Sequence, residues 1–450
     1  MIQIDRGAEL TPGLVGQIIN KHRLTDRPRL LRCREYYDGK HDILKKAYSD
    51  PTKPCARVVV NYPLDIVREY GGYLTGFPIS YNSKNDISSI MDILKYNDAK
   101  SQDAAFLRNA LIYGRAYELY YIDEDGQQRF AQLDPIDSIP VYSNTIDGDL
   151  LAFVRIYPAD TITEAENTRY IVEVYDADSM TEYSCGGEFI ALTQTGRAPH
   201  HYGQVPVTVF QINEDGRSIF EPVVGLVDAY EELLSAEIDD YSAFVDSYLV
   251  VTGVDMDVED VQSMRENRVL QLPSENAGAQ YLTKSQQDAQ IQNMLTGIEQ
   301  KIREISQSPN FSDASFGVSS GIALRFRLLG FENAASDIAD RMVKALQKRL
   351  ELLSHVLSLS GSDTVWRDVE IVISRNIPKD MAEIANMVNP LRGLVSDKTL
   401  LSQIPFVSDP DAEIEAVKEQ NLASMAAYGF EHENGEEPGD EEQEDSGGKD

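Results

Sequence analysis

Asp123, Asp125, Asp134, Asp137, Asp147 and Asp149 crowd one short stretch of the chain. Carboxylates gathered in this way can hold a divalent cation for phosphodiester chemistry. Each of them, however, stands beside a Gly, a Pro or another turn residue, where Asp is favoured because its side chain caps local backbone donors. The acid-x-Lys step that a nuclease site would add is missing, since Glu173-Val174-Tyr175 ends in tyrosine. Turn capping is the preferred reading, and a metal-dependent phosphodiesterase the least favoured one. Zinc would need closely spaced cysteine pairs, but Cys33, Cys55 and Cys185 are scattered, and they are too few for a disulfide framework. Among the histidines only His200 and His201 are adjacent, and they read as loop residues before the Gly203-Gln204-Val205-Pro206 turn. No GxxxxGK[ST] phosphate loop, GxSxG elbow or GxGxxG turn occurs. The glycines of Gly71-Gly72 and Gly76 precede Phe77-Pro78 and read as a turn. No catalytic residue, cofactor or metal is assigned, and the chain is not expected to be an enzyme.

One basic cluster remains: Lys21, Arg23, Arg27, Arg29, Arg32 and Arg34, interrupted only by Asp26. It lacks the interleaved aromatics of a single-strand binding surface, so a solvated helix face or ion pairs are expected. The whole chain carries 41 Lys+Arg against 74 Asp+Glu, a net charge of −33 over 450 residues. Gripping nucleic acid requires clustered cations to neutralise phosphates, so acidity this strong excludes a grip but not an encounter. The opening residues MIQIDRGAELTPG have no apolar core, so no secretory signal is expected, and no apolar stretch is long enough to span a bilayer. A soluble product with no membrane partner follows.

The elements that would position these residues follow from periodicity and turn signals. Eighteen of the 23 tyrosines lie at or before Tyr202, and Tyr suits half-buried sheets. Strands are expected at 116–122, 150–157, 169–175 and 207–212, separated by Asp125-Gly126, Asp147-Gly148 and Gly186-Gly187, with helices at 87–96 and 101–113 before them. From Glu221-Pro222 the apolar period becomes helical to Tyr248, and the other face is acidic: Asp228, Glu231, Glu232, Asp239, Asp240 and Asp246. An insert follows to residue 283, then a helix to about 306. Residues 307–320 (QSPNFSDASFGVSS) are polar and hold no Lys or Arg. A long helix is expected from 321 to about 359, with a kink at Gly330, where glycine costs about 1 kcal/mol against alanine. A strand at 369–374 is expected to pair back with the N-terminal β region. Helix resumes from 379 to about 428. The last twenty residues hold ten acids against one lysine and read as a disordered acidic tail. The fold class is α+β.

The order of these elements, with Tyr36-Tyr37-Asp38-Gly39, residues 61–81 (NYPLDIVREYGGYLTGFPISY), Leu133-Asp134-Pro135 leading to Val141-Tyr142, residues 320–330 (SGIALRFRLLG), Asn376-Ile377-Pro378-Lys379-Asp380 and residues 396–401 (SDKTLL), resembles bacteriophage portal proteins. These are the head-to-tail connectors of tailed phages, and the likeness is to those of long-tailed phages of Gram-positive bacteria. It spans about residues 30 to 422.

The resemblance implies a ring of about twelve copies around a tunnel at one capsid vertex. It implies an α/β wing (1–220, with a returning strand in 361–378), two stem helices (221–249 and 284–306), a small α/β clip (250–283), a tunnel loop (307–320), a long kinked helix (321–360) and a helical crown (379–430). Residues 431–450 form the tail. The implied partners are further copies of the chain, double-stranded DNA passing through, terminase, major capsid or scaffolding protein, and head-completion proteins. The location is the virion, with assembly in the host cytoplasm. DNA-facing residues are expected in the loop, at Asn310, Phe311, Ser312, Asp313, Ser315, Phe316 and Ser319. Stem acids Glu231, Glu232, Asp239 and Asp240 are expected to line the tunnel, and Asp255, Asp257, Glu259, Gln262 and Arg265 of the clip to meet a partner. A conduit must let a polyanion slide, and a wall without ordered cations leaves DNA hydrated and mobile. The competing reading is an acidic assembly adaptor or scaffold that never encloses DNA.

Overall fold

The computed structural model describes residues 2–47, 54–159, 169–245, 249–252, 278–281, 288–310, 321–359, 361, 366–376, 390–402, 404, 407 and 410–432. The chain divides into two compact units, 1–376 and 377–450.

The first unit begins with β1 (Ile2–Ile4), α1 (Pro12–Leu24), α2 (Asp26–Tyr37), α3 (Tyr62–Thr75), β2 (Ser80–Asn82), α4 (Ser88–Tyr96) and α5 (Ala99–Tyr113). Strands follow: β3 (Arg115–Ile122), β4 (Gln128–Leu133), β5 (Ser138–Ser143), β6 (Leu150–Pro158), β7 (Arg169–Tyr175), β8 (Ser179–Gly186), β9 (Thr193–Pro199) and β10 (Val207–Gln211). Then come α6 (Val224–Val245), β11 (Leu249–Thr252), β12 (Gly278–Tyr281), α7 (Asp288–Ser306), α8 (Gly321–Leu359) and β13 (Glu370–Val372). The second unit contributes α9 (Asp397–Leu401) and α10 (Pro410–His432), joined by a Lys398–Asp411 ion pair at 2.6 Å. The mixture is α+β, as expected. Among the described residues no helix is long and apolar enough to cross a membrane.

The strands form a six-stranded sheet in the order β1-β5-β6-β7-β8-β9 and a three-stranded sheet in the order β10-β3-β4. Helix α1 starts where Thr11 accepts a hydrogen bond from the Leu14 amide, with Pro12 in its first turn. Its apolar face, Val15, Ile18 and Ile19, packs on Ile139, Val154, Val172 and Val174 of the six-stranded sheet. Tyr117 and Phe153 join the two sheets edge to face, 5.2 Å between ring centroids. At the end of α5 the chain reverses into β3 through Gly114, whose φ of 82° is left-handed and whose missing Cβ leaves room for the Gly216 backbone. The late strand β13 pairs antiparallel with β2, upstream of the Tyr-rich strands, which returns the chain to its N-terminal half. The insert after α6 has β11 and β12 paired at its base.

Two of the six aspartates cap turns, and three others enter ion pairs. Asp123 Oδ1 accepts from the amides of Asp125 and Gln127, Asp134 Oδ1 accepts from Ile136, and Asp149 pairs with Arg6 at 3.2 Å. Among the described residues no group of His, Cys, Asp or Glu is placed to hold a metal. The basic cluster resolves into ion pairs within the chain: Arg27–Asp137 at 3.1 Å, Arg29–Glu221 at 2.9 Å, Arg32–Asp42 at 3.2 Å and Arg34–Asp38 at 2.9 Å. Arg23 donates to the Gly187 carbonyl and lies over the Phe189 ring.

The largest wholly buried side chain is Arg349, near the far end of α8. It makes a two-pronged contact with Glu118 of β3, Nε to Oε1 at 2.7 Å and Nη2 to Oε2 at 2.8 Å. Nη1 reaches Asp103 of α5 at 2.6 Å, and the guanidinium lies 4.6 Å from the Phe130 ring centroid. Glu118 also accepts from the Tyr120 hydroxyl and from Gln132. Removing one partner of such a pair strands an uncompensated buried charge. Arg349→Met is therefore expected to cost about 3–5 kcal/mol, read as a lowered denaturant midpoint in urea unfolding of the purified chain.

Candidate functional site: the roots of a polar loop and the inward acids of α6

Helix α3 is the anchor. Asn61 caps it by accepting from the Leu64 amide at 3.0 Å, Pro63 sits in its first turn, and Tyr62, Ile66, Val67, Tyr70, Tyr73 and Leu74 form its buried stripe. Two of these tyrosines reach the helices that flank the polar loop 307–320, Tyr70 at the end of α7 and Tyr73 within α8.

At the first root α7 ends. Gln307 adopts a left-handed conformation (φ 54°), and the Ser308 amide donates back to the Arg303 carbonyl at 3.1 Å, closing the helix. Tyr70 donates to the Ser306 carbonyl at 3.0 Å. Arg303 pairs with Glu69 at 3.0 Å and lies over the Tyr62 ring, while the Ser308 hydroxyl donates to the other Glu69 oxygen. Burial pushes the Glu69 carboxyl above its usual pKa, against the opposing pull of Ser308 and Arg303.

Helix α8 begins at Gly321, and about three turns into it a second set of contacts with α3 forms. Phe331 packs on the rings of Tyr70 and Tyr73, with centroids at 4.6 and 4.8 Å. Tyr73 donates to Glu332, which also pairs with Arg375 at 3.2 Å. Helix α8 continues through Gly330, where a kink was expected. The glycine leaves room for the Gln307 side chain, which any Cβ at 330 would strike. A single helix thus contacts the end of α7 at the first root and α8 about three turns past its start. Of the residues expected to face DNA, Asn310 is described, 3.5 Å from Glu299. Phe311, Ser312, Asp313, Ser315, Phe316 and Ser319 lie outside the described residues, as do Asp255, Asp257, Glu259, Gln262 and Arg265.

The four acids of α6 do not share one face, which corrects the expectation of a single acidic wall. Glu232 and Asp240 are exposed, whereas Glu231 is wholly buried and Asp239 nearly so. Residues 231, 235 and 239 fall on one helical stripe, turned one position away from 232 and 240. That stripe receives the extended segment 56–60. The Val60 amide donates to Glu231 Oε1 at 2.8 Å, the Val58 amide to Ser235 Oγ at 3.1 Å and the Ala56 amide to Asp239 Oδ1 at 2.5 Å. Alternate amides of a strand meet every fourth residue of a helix. The same acids also take cations, His41 Nδ1 at 2.6 Å from Glu231 and Lys46 Nζ at 3.2 Å from Asp239. Asp228, one turn earlier, accepts from the Tyr36 hydroxyl at 2.5 Å. Burial disfavours a charge on His41, but its bond to Glu231, the Glu231 charge and the Tyr36 carbonyl together raise its pKa above 6.5.

Polar loop, bracketing helices and returning strand stand in the order that residue patterns suggested. The family model for the phage portal protein, SPP1 Gp6-like, matches residues 17–425. The chain belongs to that portal family. It is 21% identical over 416 residues to the portal protein of Clostridium phage phiCD119, covering 85% of this chain and 90% of that protein. It is 23% identical over 448 residues to the portal protein of Bacillus phage SPP1, covering 92% of this chain and 87% of that protein. Phage portal proteins are structural components of the virion capsid rather than catalysts.

For this portal chain, sequence reasoning missed the side chains that tie α7 and α8 to α3: Glu69, Tyr70, Tyr73, Arg303 and Glu332. Part of the signal was present, because Tyr62, Glu69, Tyr70 and Tyr73 lie within the 61–81 stretch, at spacings that stack them along one helix. Arg303→Met removes the partner of a mostly buried carboxylate and is expected to loosen the root by about 1–3 kcal/mol. Hydrogen exchange resolved by peptide should speed up over residues 303–310, with the six-stranded sheet unchanged.

Proposed function

We propose that copies of this chain close into a ring at one capsid vertex, through which double-stranded DNA passes during packaging and ejection. In this reading residues 1–220 with the returning strand form the wing, α6 and α7 the stem, 250–283 the clip, and 379–430 the crown. Terminase docks on the ring, and head-completion proteins later take its place; assembly proceeds beside capsid or scaffolding protein in the host cytoplasm.

Membership of the portal family over residues 17–425 is the observation that carries this reading. The charge distribution supports it. The loop 307–320 offers no cation to a phosphate, and its first root is fastened to α3 where Tyr70 bonds Ser306. Glu232 and Asp240 are exposed on α6 and add acidic charge there, an effect confined by salt to roughly 8 Å. Wall and loop together would leave DNA hydrated and free to slide.

Electron microscopy of the purified chain is expected to show closed rings with a central hole; solid or open particles would favour the adaptor reading. In phage carrying Asp313→Lys with Glu232→Lys and Asp240→Lys, rings should still form while packaging slows or stalls. A packaging rate equal to wild type would show that an uncharged or acidic wall is not what lets DNA move.

A further inference from the structure

The His41 ring is wholly buried and both of its nitrogens face acceptors: Nδ1 meets Glu231 Oε1 at 2.6 Å, and Nε2 meets the Tyr36 carbonyl at 2.7 Å. A neutral imidazole carries one N–H and can donate to one of them only. Filling both bonds takes a second proton, held between His41 and Glu231. The other carboxylate oxygen, Glu231 Oε2, has no hydrogen-bond partner among the described residues, so this proton is the near counterweight to its charge.

The pair sits where two limbs of one loop meet α6. Glu231 joins the first limb at His41 to the second at Val60, and Asp239 joins the first at Lys46 to the second at Ala56. The second limb lies at the surface, half-buried with Arg57 exposed, and the donors named above bond to side chains rather than to a neighbouring strand. Segments held in this way open locally at small cost.

We propose that these two limbs, residues 41–46 and 56–60, form a pH-sensitive buckle on α6, fastened by the proton held between His41 and Glu231 and loosened when that proton leaves. The groups facing His41 are the Tyr36 ring, stacked at 4.6 Å, and its carbonyl from α2, and Glu231 and Asp228 from α6. Arg32 and Asp42 complete the surroundings of Asp228, and Lys46 faces Asp239 at the other end. A histidine whose folded pKa lies above 6.5 stabilises the closed form fully below pH 6.5. That contribution falls as pH rises, and it is gone above the folded pKa. The buckle therefore loosens on the alkaline side. It does not depend on the portal reading, because it concerns the single chain.

Trypsin tests it, because the limbs carry Lys46 and Arg57. Cleavage of the full chain is followed by mass spectrometry from pH 6.5 to 9.5, each rate divided by that of a reference peptide at the same pH. Cleavage after Arg57 is expected to rise by up to about tenfold per pH unit and then level off, with no matching rise in the six-stranded sheet. His41→Gln and Glu231→Gln should cleave faster at pH 6.5 and show no rise. A flat wild-type profile overturns the proposal, as does an equal rise in His41→Gln. If neither variant folds, the wild-type profile at Arg57 against that of the sheet decides alone.

Discussion

A guanidinium with no access to water fixes the architecture. Arg349 is surrounded by Asp103 from α5, Glu118 from β3 and the Phe130 ring from β4, so two helices and a sheet meet at one charge. Desolvating such a group is tolerable only if its donors find acceptors, and here two carboxylates supply them. Glu118 in turn needs Tyr120 and Gln132 to satisfy its remaining lone pairs. Sliding α8 by one residue would break every one of these contacts. The helix that starts at the second root of the polar loop is thereby held in register with the sheet.

The same economy of cations explains how an acidic chain presents an acidic exterior. Arg29, Arg115, Arg303, Arg349 and Arg375 are turned toward carboxylates in half-buried or buried places. Positive charge is used to hold elements together, while carboxylates such as Glu232 and Asp240 stand exposed on α6. A surface of this kind suits a protein that meets DNA without retaining it.

Most of the element plan was legible in the sequence because apolar spacing and turn residues are local signals. The helices at 224–245 and 321–359 and the strands at 150–158 and 169–175 fall close to where periodicity put them. What sequence could not reveal was the partner of a polar residue. Glu231 and Glu232 are neighbours of one type, yet one is buried against His41 and the other faces solvent; only the distant segment 56–60 distinguishes them. The Arg cluster of α2 posed the same problem, since its acceptors Asp137 and Glu221 lie far along the chain. The short strand Ser80–Asn82 carried no signal of its own and is defined by its pairing with Glu370–Val372.

The ladder between segment 56–60 and α6 works as a short vernier. Four residues of helix advance about 6.0 Å and two of strand about 6.6 Å, so each rung adds a mismatch of roughly 0.6 Å. Side chains of different reach, Glu, Ser and Asp, can absorb that drift over three rungs. The next rung would fall to Pro54, which has no amide hydrogen, and on the other side to Val227, which has no acceptor. Slipping by one notch would set Asp239 against that proline and cost it the amide bond it now receives from Ala56. The segment therefore has one register on the helix in which all three rungs are filled.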